Sequence, residues 1–165
     1  MPFNKKYAVA PNGRTIFYTM IGTPVIQVKS PSLYNRYFAE HNIDAVMIAM
    51  DIPVDQLSDH FRHMRTISNF GGCIVTIPHK QAAVACMDEI SQRARDLCSV
   101  NVVRVENGRL IGDMVDGLGF VKAVNLHGLN LNGKKVAIIG GGGAGAAIAY
   151  AIACSGANEM IIKEI

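Results

Sequence analysis

The chain has 165 residues, half of them apolar, with 16 basic against 13 acidic side chains for a net charge of +3. That is enough apolar material for a sizeable core, while a charge this small and dispersed argues against a dedicated nucleic-acid binder and is mildly welcoming to a small anion. No apolar run reaches the ~18 uninterrupted residues needed to span a bilayer, and the stretch 1–6 is not followed by a signal-peptide core, so a cytoplasmic chain without a membrane partner is expected.

In chain order, Pro11-Asn12-Gly13-Arg14 is a turn signal, and Thr15 to Ile21 reads as a strand closed by Gly22-Thr23-Pro24. Ser30 is placed to cap a helix with Pro31 at its first position, running from Ser32 through His41. A second strand follows over Asp44 to Met50. Asp51-Ile52-Pro53 then opens a helix in which Val54, Leu57, Phe61, Met64 and Ile67 recur at core spacing. His60 and His63 stand three apart on it with no third metal-ligand candidate nearby, so a solvated face and no metal site are expected.

Cys73-Ile74-Val75-Thr76-Ile77 has the composition of a buried strand. Pro78 ends it and suits the start of a helix, and Gln81 to Met87 are good helix formers. Lys80 then falls in a first helical turn, where the helix dipole disfavours a cation, and such local violations gather at functional sites. Cys73, Cys86, Cys98 and Cys154 are spaced by 13, 12 and 56 positions without a Cys-x-x-Cys pair and are expected to be reduced, buried thiols.

A short helix is expected from Asp88-Glu89 through Leu97, then a hairpin of Val100 to Glu106 and Arg109 to Ile111 about the turn Asn107-Gly108. Strands alternating with helices imply a largely parallel sheet to which the hairpin adds an antiparallel edge. The expected organisation is therefore α/β: a mixed, largely parallel domain over 1–112, a connecting loop and helix over 113–130, and a second domain opening over 131–165.

That second domain begins as strand Lys134 to Ile139, then Gly140-Gly141-Gly142-Gly143-Ala144-Gly145, then an alanine-rich helix to Cys154 and a strand from Met160. Gly-x-Gly-x-x-Gly between a strand and a helix is the dinucleotide fingerprint of a Rossmann unit. Gly140 permits the tight turn, Gly142 lets backbone approach a pyrophosphate, Gly145 lets helix and strand pack, and the helix N-terminus faces the phosphates. Gly140, Gly142, Gly143 and Gly145 are the candidate cofactor-binding glycines.

From about Ile21 onward the chain resembles the shikimate dehydrogenase family, quinate-using relatives included. Ser30-Pro31 with Tyr34-Asn35 matches its Ser-Pro element, and Ile74-Val75-Thr76-Ile77-Pro78-His79-Lys80 matches Asn-Val-Thr-x-Pro-x-Lys. Ser99-Val100-Asn101-Val102 matches Ala-Val-Asn-Thr, and Met114-Val115-Asp116-Gly117 matches Asn-Thr-Asp-Gly. The resemblance implies a substrate domain followed by a Rossmann domain, with hydride passing between a ring carbon and NAD or NADP. Lys80 and Asp116 would flank the reacting hydroxyl as the catalytic pair, and Ser30, Thr76 and Asn101 would hold the substrate, a small cyclic hydroxy acid. A second copy of the chain is the other candidate partner.

The departures are informative. Val28 stands where the family usually has the first of two carboxylate-binding serines, and Ile74, Val102, Met114 and Val115 replace polar residues, so a drier pocket and a substrate other than shikimate are expected. Glu164 lies 19 positions after Gly145, near the spacing at which an acidic residue meets the ribose 2′-hydroxyl of NAD, and Ile165 stands where NADP-using members carry arginine. Only 35 residues, 131–165, remain for the cofactor domain, so a fragment of a longer protein is expected. The alternative function is a catalytically silent ligand-binding module.

Overall fold

The fold, seen in a computed structural model, is described for residues 10–164. The first unit comprises β1 (Ile16–Gly22), α1 (Ser30–Glu40), β2 (Ala45–Asp51), α2 (Leu57–Met64), β3 (Phe70–Val75), β4 (Glu89–Ile90), α3 (Gln92–Asp96), β5 (Val102–Glu106) and β6 (Arg109–Asp113). They build one sheet in the order β2-β1-β3-β5-β6-β4. β2, β1 and β3 run parallel, β5 is antiparallel to β3 and to β6, and β4 runs parallel to β6.

Alternation along the strands divides two cores. Ile21, Val75, Val103 and Leu110 face α2, whose Leu57, Phe61 and Met64 complete the main cluster. On the other face, Met47 and Ala45 meet Phe38 of α1, with Tyr18 and Ile74 against them. α4 (Asp116–Leu126) leads to the second unit: β7 (Lys135–Ile139), α5 (Gly143–Cys154) and β8 (Glu159–Lys163), with β7 and β8 parallel. No helix among the described residues is long and apolar enough to cross a membrane.

Several local expectations are corrected. α1 starts one turn position earlier than expected, with Lys29 as its cap and no side-chain capping bond, so Ser30 lies inside the helix. The helix after Pro53 opens as a 3-10 turn over Val54–Gln56 and ends at Met64, which leaves Val54 and Ile67 outside its buried stripe and exposed. After Pro78 there is a turn and a 3-10 helix, Ala82–Cys86, in place of an α-helix. The Lys80 carbonyl accepts the Val100 N–H at 2.8 Å, so it is spent on the neighbouring β5 segment. The dipole argument for Lys80 therefore does not apply, because a helix this short and this far along carries little of it.

Asp88-Glu89 opens no helix. Asp88 accepts the Leu110 N–H at 2.7 Å, which lays Glu89–Ile90 along β6 as an edge strand. The hairpin is thereby interior to the sheet, and α3 begins only where Ser91 caps the Ala94 N–H. Of the cysteines, Cys73 alone is buried, with burial pushing its thiol pKa well up; Cys86 is half-buried, and Cys98 and Cys154 are exposed. His63 is exposed as expected, whereas His60 is half-buried, and burial followed by the nearby His79 lowers its pKa.

Candidate active site

Three of the expected site residues converge. Lys80 leaves the turn after β3, Asn101 precedes β5, and Asp116 opens α4. Lys80 Nζ lies 2.7 Å from Asp116 Oδ2, and Asn101 Nδ2 donates to Asp116 Oδ1 at 2.6 Å. The Asn101 side-chain oxygen accepts the Val115 N–H at 2.8 Å, so this amide holds both the carboxylate and the backbone that carries it. The Lys80 and Asp116 side chains are 18% and 29% exposed, sheltered but reachable by a small molecule.

Backbone bonds explain why the residues meet. Val75 N–H reaches the Asn101 carbonyl at 2.8 Å and Asn101 N–H the Asp113 carbonyl at 2.9 Å, so the ends of β3, β5 and β6 are laced side by side. Asp113 is itself anchored. Burial works against its charge, but Arg93, Ser91 and the Met114 N–H all donate to it and hold its carboxyl below the ordinary carboxylate range. Thr76 is half-buried at the exit of β3, its N–H on the Ile21 carbonyl at 2.9 Å, and its own carbonyl accepts the His79 N–H. Val28 lies on the β1–α1 connection, which the Thr23 N–H ties to the Ile77 carbonyl at 3.2 Å, and Ser30 is the first residue of α1. Two residues expected to dry the pocket do other work: Met114 is in the main core, and Ile74 packs on the α1 side of the sheet.

Sequence reasoning passed over His79. It is fully buried, and its Nε2–H donates to the Ile52 carbonyl at 2.8 Å, pinning the residue before Lys80 to the segment after β2. A histidine set between the end of the strand run at Pro78 and Lys80 was the available signal.

In the second unit the glycine loop joins β7 to α5. Gly145 approaches the Gly140 carbonyl so closely that an added Cβ would lie 2.0 Å from it, whereas Cβ atoms on Gly142 and Gly143 would meet open space. A turn folded tightly beneath and left open above, with no side chain capping α5, suits backbone recognition of a pyrophosphate. Glu164 Oε2 accepts the Gly141 N–H at 2.6 Å, placing the carboxylate against the loop through a glycine that spacing had not singled out. Among the described residues there is no group of three His, Cys, Asp or Glu side chains able to hold a metal.

Fold and site together define an α/β unit built on one mixed sheet, joined through one helix to a β-α-β unit that opens on a glycine-rich loop. Residues 20–103 match the shikimate dehydrogenase substrate binding domain, and the chain belongs to that family. The shikimate dehydrogenase (NADP(+)) of Rubrobacter xylanophilus is 36% identical over 152 residues, covering 92% of this chain and 53% of that protein. The structure of shikimate 5-dehydrogenase from Listeria monocytogenes, in complex with shikimate and NAD, superposes with a TM-score of 0.90 at 31% identity, covering 95% of this chain and 54% of that one. The ligand-free 5-ketofructose reductase of Gluconobacter sp. strain CHM43 superposes with a TM-score of 0.86 at 30% identity, over 92% of this chain and 54% of that one. The chain thus spans about half the length of the relatives it matches.

Proposed function

We propose that the chain belongs to a shikimate dehydrogenase-like oxidoreductase that interconverts a cyclic hydroxy acid, of the shikimate or quinate type, with its ketone. The observation that carries this is the Lys80–Asp116 pair at 2.7 Å, oriented by Asn101. A nicotinamide dinucleotide, when bound at the glycine loop, supplies or accepts the hydride. Lys80 Nζ holds the proton that a developing alkoxide must receive, or takes the hydroxyl proton in the opposite direction. Asp116 keeps the amine in place and accepts the substrate hydroxyl, while Thr76 and Ser30 offer further hydroxyl contacts. Its test is the nicotinamide absorbance change with shikimate, quinate or 5-ketofructose and either dinucleotide, in protein with a cofactor domain of the length its relatives have. Absence of turnover with every pair would favour a silent binding module instead.

Val28 bears on the substrate. A hydrogen bond to a charged group contributes about 1.5–3 kcal/mol, so lack of one serine hydroxyl weakens a carboxylate roughly ten- to a hundredfold. Val28→Ser should tighten shikimate by that factor in a calorimetric titration; unchanged affinity would mean the carboxylate is held elsewhere, as by Lys29 or Tyr34. The similarity to a reductase of 5-ketofructose, a sugar without a carboxylate, supports a second reading in which the preferred substrate is a neutral polyol or ketose.

The Glu164 carboxylate on the Gly141 N–H supports NAD as the preferred cofactor, because a ribose 2′-hydroxyl can donate to it and a 2′-phosphate is repelled. The relatives named for NADP(+) make this a property to be tested on this sequence. Glu164→Ala combined with Ile165→Arg should reverse the preference, Ile165 lying outside the described residues. Tighter binding of NADP than NAD by the unmodified protein would defeat the reading.

A further inference from the structure

We infer that Gly117 is a positioning residue that sets the separation between the Lys80–Asp116 pair and the cofactor-binding helix α5, an inference that rests on the oxidoreductase reading. Asp116 and Gly117 are consecutive in α4, so they point about 100° apart around the helix: one meets Lys80, the other meets α5. Gly117 is buried, and a Cβ built on it would lie 2.0 Å from the Ala147 carbonyl oxygen and 2.7 Å from the Ala151 Cβ. The first of these is a backbone atom and cannot swing aside. Since an ordinary carbon–oxygen contact is about 3.3 Å or more, any side chain at this position separates the two helices by more than about 1 Å.

Ala147 lies four residues, about 6 Å, along α5 from Gly143, so the crossing sits one turn behind the end that faces a dinucleotide. The rest of this boundary is softer. A cavity of about 420 Å³ opens beside the crossing, lined by Leu97, Met114, Val121 and Ala151 among others, and Tyr150 reaches across to donate to Asp96 at 2.8 Å. The Gly117 contact is therefore the rigid point through which the Asp116 carboxylate that positions Lys80 and the cofactor helix share one frame.

The experiment is single-turnover hydride transfer in protein with a cofactor domain of the length its relatives have, with the dissociation constants of substrate and dinucleotide measured separately. Gly117→Ala should slow transfer about 100-fold, the consequence of a misplacement near 1 Å, while each dissociation constant stays within about twofold because neither binding surface is altered. Wild-type transfer by this variant, or a loss matched by equal weakening of either ligand, would overturn the inference. Should Gly117→Ala not fold, Ala151→Val wedges the same crossing from the other helix and should give the same split; an unchanged transfer rate there counts against it. If the unmodified protein transfers no hydride with any probe, the functional reading fails by itself. The geometric claim is then decided by crystal structures of the wild type and Gly117→Ala, where an unchanged α4–α5 separation would refute it.

Discussion

Lys80→Ala is expected to lower turnover by roughly 10²- to 10⁴-fold, the range that positioned proton transfer contributes. Lys80 donates to one oxygen of Asp116 while Asn101 donates to the other, so removal of the amine takes the proton source and leaves the carboxylate partnered. Because both side chains keep contact with solvent, the change in stability should stay near 1 kcal/mol. Turnover followed by nicotinamide absorbance, beside a thermal melt, separates the two effects. Unaltered turnover would make Lys80 a structural residue and remove the main support for an oxidoreductase.

The second large effect is expected at Gly72, and it falls on stability. Gly72 adopts φ +140°, a region that L side chains rarely enter, and an added Cβ would lie 2.1 Å from the Val103 carbonyl oxygen. It sits where β1 pairing shifts register, and it is paired on both sides at once, to Tyr18 of the parallel β1 and to Arg104 of the antiparallel β5. Backbone strain of about 1–3 kcal/mol and overpacking of a similar 1–3 kcal/mol combine to a loss of roughly 2–6 kcal/mol for Gly72→Ala. Against a domain stability on the order of 5–15 kcal/mol, that is a large fraction, and denaturant unfolding should report it as a lowered midpoint. A midpoint within experimental error of the wild type would show that β3 and β5 adjust freely. Since β3 leads to Lys80 and β5 follows Asn101, such freedom would also undercut the rigid placement of the site.

The sequence by itself determined what depends on neighbours along the chain. The strand run Thr15 to Ile21 closed by Gly22-Thr23-Pro24, the alternation of Val100 to Glu106, the apolar spacing of Leu57, Phe61 and Met64, and the strand–glycine loop–helix of the second unit are all local patterns, and they appear as β1, β5, α2 and the β7–α5 turn. Lys80, Asn101 and Asp116 were legible because motif positions carry chemistry that does not depend on knowing the path between them. Tertiary structure decided wherever a backbone group had a distant alternative partner. Val100 takes the Lys80 carbonyl and turns an expected α-helix into a 3-10 turn, and Leu110 takes the Asp88 carboxylate and makes an edge strand from an expected helix start. The burial of His79 on Ile52, the seating of Gly117 on Ala147 and the contact of Glu164 with Gly141 each join residues from 23 to 30 positions apart. Periods of two and 3.6 residues hold no information about such pairs, which exist only once the sheet order and the α4–α5 crossing bring the segments together.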